Sequence, residues 1–491
     1  MTTRLCVTLT EETTGALLER MAALADTADL FEIRADRVID LDQLALLRAR
    51  RRPLILTCRA ASHGGGWPDD DPRRRLTLLE GAKRGFDYLD VEFDSGFTDV
   101  VHEKAGHGLI VSHHALQGMP DDLNALYAAM CEQGADIVKV VVTPRSIADV
   151  GRLMGFAGRV ARAGGTPVIA IAMGPMGLIT RVVAGRYGAP FTFAAAEAGA
   201  EAAPGQLPAA QMADLFRVRS IGPATRVYGV LGRNVTRSLS PMVHNPAFAA
   251  LGIDAVYVPL QAEALAPFLD ALPALGLSGF SVTQPYKVEI VPRVHQLDDM
   301  AAACGSVNTV VYDKGKMRGS NTDGAGVVGP LRRRTALAGK RVVIVGAGGA
   351  ARAAALALCQ EGARVTVVGR DAAQTASVAE AVNCAHGALG DLAQYPWDVL
   401  INATPVGGRT QPDLSPVPME LHRPGTIVFD MVYDPLETPL LREAQQKGCV
   451  IIDGLEMLLA QAALQFEGWT GRPAPLDAMK ASALFLVQAQ E

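Results

Sequence analysis

Eight short apolar runs punctuate residues 1–220 of this 491-residue chain, at 5–9, 30–33, 54–57, 88–91, 109–112, 137–142, 168–171 and 191–193. Helix-like stretches separate them. The runs are continuous rather than alternating in polarity, the pattern of parallel strands covered by helices on their outer face. Eight such units in a segment of this length fit a compact (β/α)8 barrel, although a doubly wound sheet can use the same elements. Where the polar residues fall argues for the barrel. Glu32 and Arg34 end the second run, Thr57 and Arg59 the third, Glu92 the fourth, His113 and His114 the fifth; Lys139 lies inside the sixth, and Met173 follows the seventh. In a barrel all these strand ends converge on one mouth. Charged side chains are costly inside an apolar core, so a shared polar cavity explains them together. A structural ion pair is the competing reading for Glu32 and Arg34.

Length alone calls for two or three domains. With 46 basic and 51 acidic residues the net charge is −5, which argues against a nucleic-acid partner. The seven cysteines are scattered and never spaced as CxxC, so neither a thiolate metal site nor a disulfide framework is expected. No carboxylate or cysteine completes a ligand set around His113 and His114, and no metal is expected there. There is no signal-peptide pattern and no apolar run long enough to span a bilayer. Cytoplasm is the expected location, and a trimmed organellar protein would read the same way. Oligomeric state is not legible.

Lys139 carries the most chemistry in the first half. Flanked by Val138, Val140, Val141 and Val142, its charged form is expected to be desolvated, raising the neutral amine population. A neutral amine condenses with a ketone to an iminium, which acidifies the adjacent C–H. His114, one strand away in barrel order, is the candidate to move that proton near neutrality. Arg34, Arg59 and Arg181 offer planar forks for a substrate carboxylate. The stretch Ala203-Pro204-Gly205-Gln206 reads as a loop able to close the mouth and exclude water, with Gln206 offering an amide to hydroxyls. Another Schiff-base lyase or an aldolase would need the same groups.

Taken in order, Phe31-Glu32-Ile33-Arg34, Thr57-Cys58-Arg59 with Gly65-Gly66, Asp90-Val91-Glu92, Ser112-His113-His114, Asp136-Ile137-Val138-Lys139, Met173-Gly174 with Arg181, and Ala203-Pro204-Gly205-Gln206 resemble the type I 3-dehydroquinate dehydratases. The resemblance covers residues 1–215. It implies a TIM barrel in which Lys139 forms a Schiff base with 3-dehydroquinate and His114 is the acid and base of a syn elimination giving 3-dehydroshikimate. Glu92 would position and tune His114, and Glu32, Arg34, Arg59, Arg181 and Gln206 would hold the substrate. Two positions depart from the family pattern. Ala115 stands where Asp or Asn usually follows the histidine, and Ala202 where Ser usually precedes Ala-Pro-Gly-Gln.

A turn-rich seam near residue 220 precedes a fresh strand at 226–231. Farther on, Arg341-Val-Val-Ile-Val-Gly346-Ala-Gly348-Gly-Ala-Ala351 reads as strand, glycine turn and helix, with a further strand at 364–368. Gly346, Gly348 and Ala351 have the G-x-G-x-x-A spacing that brings backbone against a pyrophosphate at a helix N-terminus. The second strand ends in Gly369-Arg370-Asp371, where Arg370 suits a 2′-phosphate and favours NADP. Asp371 could instead meet ribose hydroxyls. Upstream, Ser238 and Ser240 are poised as cap and ligand, and Pro241 makes an N-cap role natural for one of them. Lys287 and Asp323 could form a pair that positions a carbonyl and passes a proton during hydride transfer.

The landmarks Ser238-Leu239-Ser240-Pro241, Val282-Thr283-Gln284-Pro285-Tyr286-Lys287, Gly305-Ser306-Val307-Asn308-Thr309, Asn321-Thr322-Asp323-Gly324, 346–351, Asn402-Ala403-Thr404-Pro405 and Asp453-Gly454 through Gln461 resemble the shikimate dehydrogenases. The resemblance runs from residue 225 to the C-terminus. It implies a shikimate pocket lined by Ser238, Ser240, Thr283, Asn308, Asp323, Tyr433 and Gln461, with Lys287 and Asp323 catalytic. It also implies NADPH held by Gly346, Gly348, Gly349, Ala350, Arg370, Asn402, Thr404 and Gly454. Ser281 replaces the usual Asn before Val-Thr, and Gly369-Arg370-Asp371 replaces Asn-Arg-Thr. The expected organisation is α/β throughout: a barrel at 1–220, a substrate-binding domain at 221–330, a Rossmann-like NADP domain at 331–455, and helices at 456–491 packing back on the substrate domain. The small-molecule partners would be 3-dehydroquinate and 3-dehydroshikimate, with no nucleic acid and no membrane. Quinate in place of shikimate, NAD in place of NADP and a non-enzymatic scaffold are the other readings.

Overall fold

The computed structural model describes residues 3–103 and 107–488. The first eight strands are β1 (Arg4–Leu9), β2 (Leu30–Arg34), β3 (Leu54–Thr57), β4 (Tyr88–Glu92), β5 (Gly108–Ala115), β6 (Ile137–Val142), β7 (Val168–Ala172) and β8 (Phe191–Ala195). They form one sheet in the order β7-β6-β5-β4-β3-β2-β1-β8, with β1 paired in parallel to both β2 and β8. The barrel is thus nearly closed, with β7 and β8 at the two ends of the ladder. Between them the crossover is made of short helices, Leu178–Val182 and Ala184–Tyr187, rather than one long helix.

Successive side chains of a strand point to opposite faces. In β2 that puts Leu30, Glu32 and Arg34 on one face; in β4 Tyr88, Asp90 and Glu92; in β6 Ile137, Lys139 and Val141. The N-terminal member of each inward series is apolar, and Cys6, Leu30, Ile55, Ile110, Ile137, Ile169 and Phe191 belong to one buried cluster. The later members in β2 and β4 are charged, as is Lys139 in β6, although Val141 beyond it is apolar. The barrel therefore has an apolar floor and a charged upper half.

Contacts within the chain divide it into two compact units. One comprises the chain up to Gly229 with Arg233–Arg237 and Asp254–Leu277; the other comprises Val230–Gly232, Ser238–Ile253 and the chain from Ser278. In the first unit, the helix Leu265–Leu275 lies on the barrel helix Ile147–Ala163. Gly151 makes this approach possible, because a Cβ there would sit 2.8 Å from that of Ala271.

Six further strands, β9 (Arg226–Gly232), β10 (Ala255–Gln261), β11 (Leu277–Val282), β12 (Gln296–Leu297), β13 (Thr309–Asp313) and β14 (Lys316–Ser320), form a sheet in the order β10-β9-β11-β13-β14-β12. The β13–β14 hairpin turns on Lys314 and Gly315, both at positive φ, as a two-residue primed turn requires.

The last sheet is all parallel: β15 (Arg341–Val345), β16 (Arg364–Gly369), β17 (Ala385–Ala388), β18 (Val399–Asn402), β19 (Ile427–Asp430) and β20 (Val450–Ile452). Its order, β17-β16-β15-β18-β19-β20, is the 3-2-1-4-5-6 arrangement of dinucleotide folds. Val342 and Ile344 feed the core on one face, Val343 and Val345 that on the other, which is why the run is apolar throughout. The final helix, Leu476–Gln488, packs on Ser240–Ala250. Among the described residues, no helix is long and apolar enough to cross a membrane.

Candidate active sites

The barrel mouth encloses a cavity of about 260 Å³ whose walls include Lys139, His114, Arg59, Arg181, Glu32 and Gln206. Lys139 is buried. Its valine neighbours along the strand do not define its surroundings, because Val138 and Val140 alternate to the other face. The amine instead lies 2.9 Å from Asp90 Oδ2 and 3.4 Å from Glu32 Oε1, over the Phe193 ring at 4.2 Å. The expected apolar enclosure is therefore corrected to a carboxylate-lined one.

Asp90 is a member of this site that the sequence reading did not single out. It also receives bonds from Arg59 Nη2 (2.9 Å) and Ser112 Oγ (2.6 Å). Burial alone would raise its carboxyl, but Arg59 and Lys139 outweigh that and hold it well below the usual carboxylate range. Glu32 is likewise lowered despite burial, chiefly by Lys139, and accepts from Thr8 (2.8 Å) and Thr57 (2.9 Å). The available signal for Asp90 was its spacing, two residues before Glu92 and so on the same inward face.

His114 is half-buried, with Nδ1 3.3 Å from Arg59 Nη1. Burial, then Arg59 and Lys139, push its pKa well below 6.5, so the ring is neutral near pH 7. Glu92 is placed differently from the expected partnership. It is held by Arg74, by the Ala60 N–H (2.9 Å) and by Arg59 (3.4 Å), and its connection to His114 runs through Arg59. The ring packed on His114 is that of His63, 5.6 Å away between centroids.

The three candidate anion-holding arginines are not equivalent. Arg34 gives its fork to Asp36, at 2.9 and 2.7 Å. Arg59 is surrounded by Asp90, Glu92 and Ser112. Arg181 is fully buried, reaches only the Pro204 carbonyl at 3.5 Å, and its Nε has no partner among the described residues. Burial lowers its pKa to about 10. An anion entering the cavity would complete it.

The loop 202–206 lies across the mouth. Gly174 N–H donates to Pro204 O (3.0 Å), and Gly205, at φ +80°, sits so close that a Cβ would be 2.5 Å from Gly174 O. Gln206 accepts from Ala202 N (2.7 Å) and donates to Thr8 (3.3 Å), so its amide also ties the loop down.

In the second unit, Lys287 Nζ lies 2.5 Å from Asp323 Oδ2. Asn308 Nδ2 donates to Asp323 Oδ1 (2.8 Å) and Gln461 Oε1 (3.2 Å), joining three expected residues around one carboxylate. Ser238 Oγ lies 3.1 Å from Ser240 Oγ and accepts the Ser240 N–H, while the helix Ser240–Ala250 has Leu239 at its N-cap, so the expected serine N-cap is corrected. Tyr433, raised by burial, is hydrogen-bonded to Ser238. Thr283 stands at the start of the turn that carries Lys287, its N–H on Leu231 O (2.9 Å). Ser281 bonds Gln465 (3.0 Å).

A cleft of about 760 Å³ runs along the C-terminal ends of β15, β16 and β18, lined by Gly346, Gly348, Arg370, Asp371 and Thr404 among others. Gly346, at φ +115°, lets the β15 turn pass Ala403 O, from which a Cβ would be 3.0 Å. Gly349 and Ala350 open the helix Gly349–Gln360, and a Cβ at Gly349 would be 2.8 Å from Ser306 Oγ and 3.3 Å from Lys287. The exposed donors of this helix and the cleft beside Arg370 fit a phosphorylated dinucleotide. Asp371 lines the same cleft and caps the next helix through the Gln374 N–H (3.0 Å), which engages one of its two carboxylate oxygens. Asn402 is fully buried and braces the turn by bonds to Thr404, Val406 and Asp430. Gly454 is needed for packing, because a Cβ there would be 2.4 Å from Val432 O. Among the described residues no cluster of three or more His, Cys, Asp or Glu is placed to hold a metal.

These features define a two-headed enzyme: a lysine-centred lyase barrel joined to a dinucleotide-dependent dehydrogenase. Models of four families match the chain: type I 3-dehydroquinase over residues 5–223, the shikimate dehydrogenase substrate binding domain over 230–310, shikimate/quinate 5-dehydrogenase over 331–406, and the shikimate 5′-dehydrogenase C-terminal domain over 454–484. A bifunctional 3-dehydroquinate dehydratase/shikimate dehydrogenase of Arabidopsis thaliana is 35% identical over 92% of this chain and 79% of its own. The shikimate dehydrogenase (NADP(+)) of Pyrococcus abyssi is 42% identical over 53% of this chain and 97% of its own. A Thermus thermophilus shikimate 5-dehydrogenase solved with NADP(H) and shikimate is 33% identical, covering 53% of this chain and 99% of its own, with TM-score 0.50. The chain belongs to the family of bifunctional 3-dehydroquinate dehydratase/shikimate dehydrogenases.

Proposed function

We propose that the barrel dehydrates 3-dehydroquinate to 3-dehydroshikimate, and that the second unit reduces 3-dehydroshikimate to shikimate with NADPH. The observation that supports the first step best is the buried Lys139 amine sharing one cavity with His114 and the partner-poor Arg181. Arg181 takes the substrate carboxylate. Lys139 Nζ attacks the ketone carbon and water leaves, giving an iminium; Asp90 and Glu32 are the acceptors nearest the protons the amine releases. His114 removes a proton from the carbon next to the iminium and returns it to the departing hydroxyl, which leaves as water. Hydrolysis of the iminium then frees the enone and the lysine. The docked loop 202–206 keeps bulk water from the intermediate.

In the second unit, NADPH supplies a hydride when bound, and Gly346, Gly348, Gly349, Ala350, Arg370 and Thr404 are the residues that would hold it. Asp323, fixed by Asn308, orients Lys287. Lys287 polarises the ketone oxygen and protonates the alkoxide. Ser238, Ser240, Thr283, Tyr433 and Gln461 would hold the ring substituents and carboxylate. Borohydride reduction in the presence of 3-dehydroquinate tests the first reading. The adduct should map to the peptide carrying Lys139 and be lost in Lys139→Ala, whereas trapping that persists in that variant contradicts it.

A further inference from the structure

We propose that His63, backed by Asp94, is a positioning residue that exchanges a proton with His114 during the dehydration. The inference rests on the dehydratase reading above and assigns that site a further member. His63 follows β3 in a short turn, Ala61–His63, and lines the same cavity as Lys139 and His114. Only 8% of its surface is exposed. Its ring lies 5.6 Å from that of His114 and 6.0 Å from that of His113.

The hydrogen-bond pattern fixes which nitrogen is available. Nε2 faces Asp94 Oδ2 at 3.2 Å, and a carboxylate can only accept, so a neutral His63 carries its hydrogen on Nε2. Nδ1 is then a bare lone pair. It is buried without a hydrogen-bond partner among the described residues, 4.0 Å from Glu92 Oε1. Asp94, by contrast, is about half exposed, with 56% of its side chain open. The pair therefore runs from an unsatisfied base inside the cavity to a carboxylate at the surface.

His114 needs such a neighbour. Arg59 Nη1 faces its Nδ1 at 3.3 Å, so a proton taken up by the ring sits beside a guanidinium. On taking the substrate proton, His114 becomes a cation between Arg59 and Lys139. Those same groups, after burial, depress its pKa. Passing that proton to His63 Nδ1 would place the positive charge beside Asp94 and Glu92 instead, and the proton would return by the same path to the leaving hydroxyl. The two rings together neither gain nor lose a proton over the turnover. The charged and titratable groups facing His63 are Glu92 and Asp94 at the end of β4, His113 and His114 of β5, Arg59, and Asp69 of its own loop.

Chemical rescue in the full-length protein tests the proposal. His63→Ala should lower kcat for dehydration about tenfold to a hundredfold, with KM within about twofold, at the low end of what acid–base groups contribute. Added imidazole should restore the rate in proportion to its unprotonated form. Asp94→Asn should shift the kcat–pH profile in the same direction as His63→Ala. Borohydride trapping at Lys139 in each variant reports that the barrel is folded, and His63→Asn serves if the alanine variant does not trap. A trapping-competent variant that turns over at the wild-type rate, or one that imidazole does not accelerate, overturns the proposal. Failure of the wild-type protein to dehydrate or to be trapped would overturn the dehydratase reading instead.

Discussion

Lys139, Asp90, Arg59 and Glu32 form one buried charge network in which removal of any member strands the others. Asp90→Ala would leave Arg59 and Lys139 without their shared acceptor, and a loss of about 3–5 kcal/mol of barrel stability is expected from denaturant unfolding. The depressed Asp90 carboxyl also sets an acid limit. It contributes stability above its unfolded value near ~3.9, and that contribution is lost as pH falls below it. His114 behaves oppositely in charge but alike in direction: its folded pKa is lowered, so below about 6.5 the unfolded chain binds a proton that the folded chain refuses. The acid limb of the dehydration profile should accordingly lie well below pH 6.5; a limb at or above that value would contradict the neutral ring. His114→Ala should reduce kcat about 10²–10⁴-fold while preserving borohydride capture at Lys139. Arg181→Ala should act chiefly on KM for the carboxylate substrate, because the guanidinium has little else to bind.

The loop 202–206 and the end of β19 carry predictions of their own. Gly205→Ala introduces a Cβ against the Gly174 carbonyl at a positive φ, so the loop should undock, raising KM and lowering kcat for dehydration while the reductase rate is unchanged. Asp430, at the end of β19, is raised to about 6 by burial, against bonds from Thr438, Val432 and Asn402. A raised carboxyl stabilises the fold most when protonated, so this part of the stability falls as pH rises from about 4 to 6. Asp430→Asn should remove that fall, as thermal melts across the range would show. The strands themselves were legible, because eight apolar runs bounded by turn residues leave few alternatives. What the runs hid was the two-residue alternation inside them. Valines adjacent to Lys139 in sequence suggested an apolar enclosure, yet those at 138 and 140 face away and Asp90 comes from a strand 49 residues earlier. The resemblance implies that Glu92 positions His114, but Arg74, an exposed-looking member of an arginine run, binds it. His63 gave no signal, since a lone histidine beside glycines is indistinguishable from a surface turn. The cofactor turn was legible from spacing, whereas the capping role of Asp371 depended on where the next helix begins.

Two chemistries on one chain make sense under the proposed function because the enone released by the first reaction would be the ketone reduced by the second. Each half carries a lysine paired with carboxylate, and the proposed chemistry puts them to different ends: Lys139 would become covalently attached, and Lys287 would donate a proton from a fixed pair. The two steps should separate cleanly by mutation, since the barrel network and the Lys287–Asp323–Asn308 cluster share no residue. The decisive assay starts from 3-dehydroquinate and NADPH and follows enone absorbance and cofactor oxidation together in the wild type, Lys139→Ala and Lys287→Ala. The wild type should oxidise the cofactor; Lys139→Ala should do so only when 3-dehydroshikimate is supplied; Lys287→Ala should accumulate the enone with the cofactor untouched. Cofactor oxidation from 3-dehydroquinate by a folded Lys139→Ala enzyme at the wild-type rate would contradict the assignment of the barrel lysine.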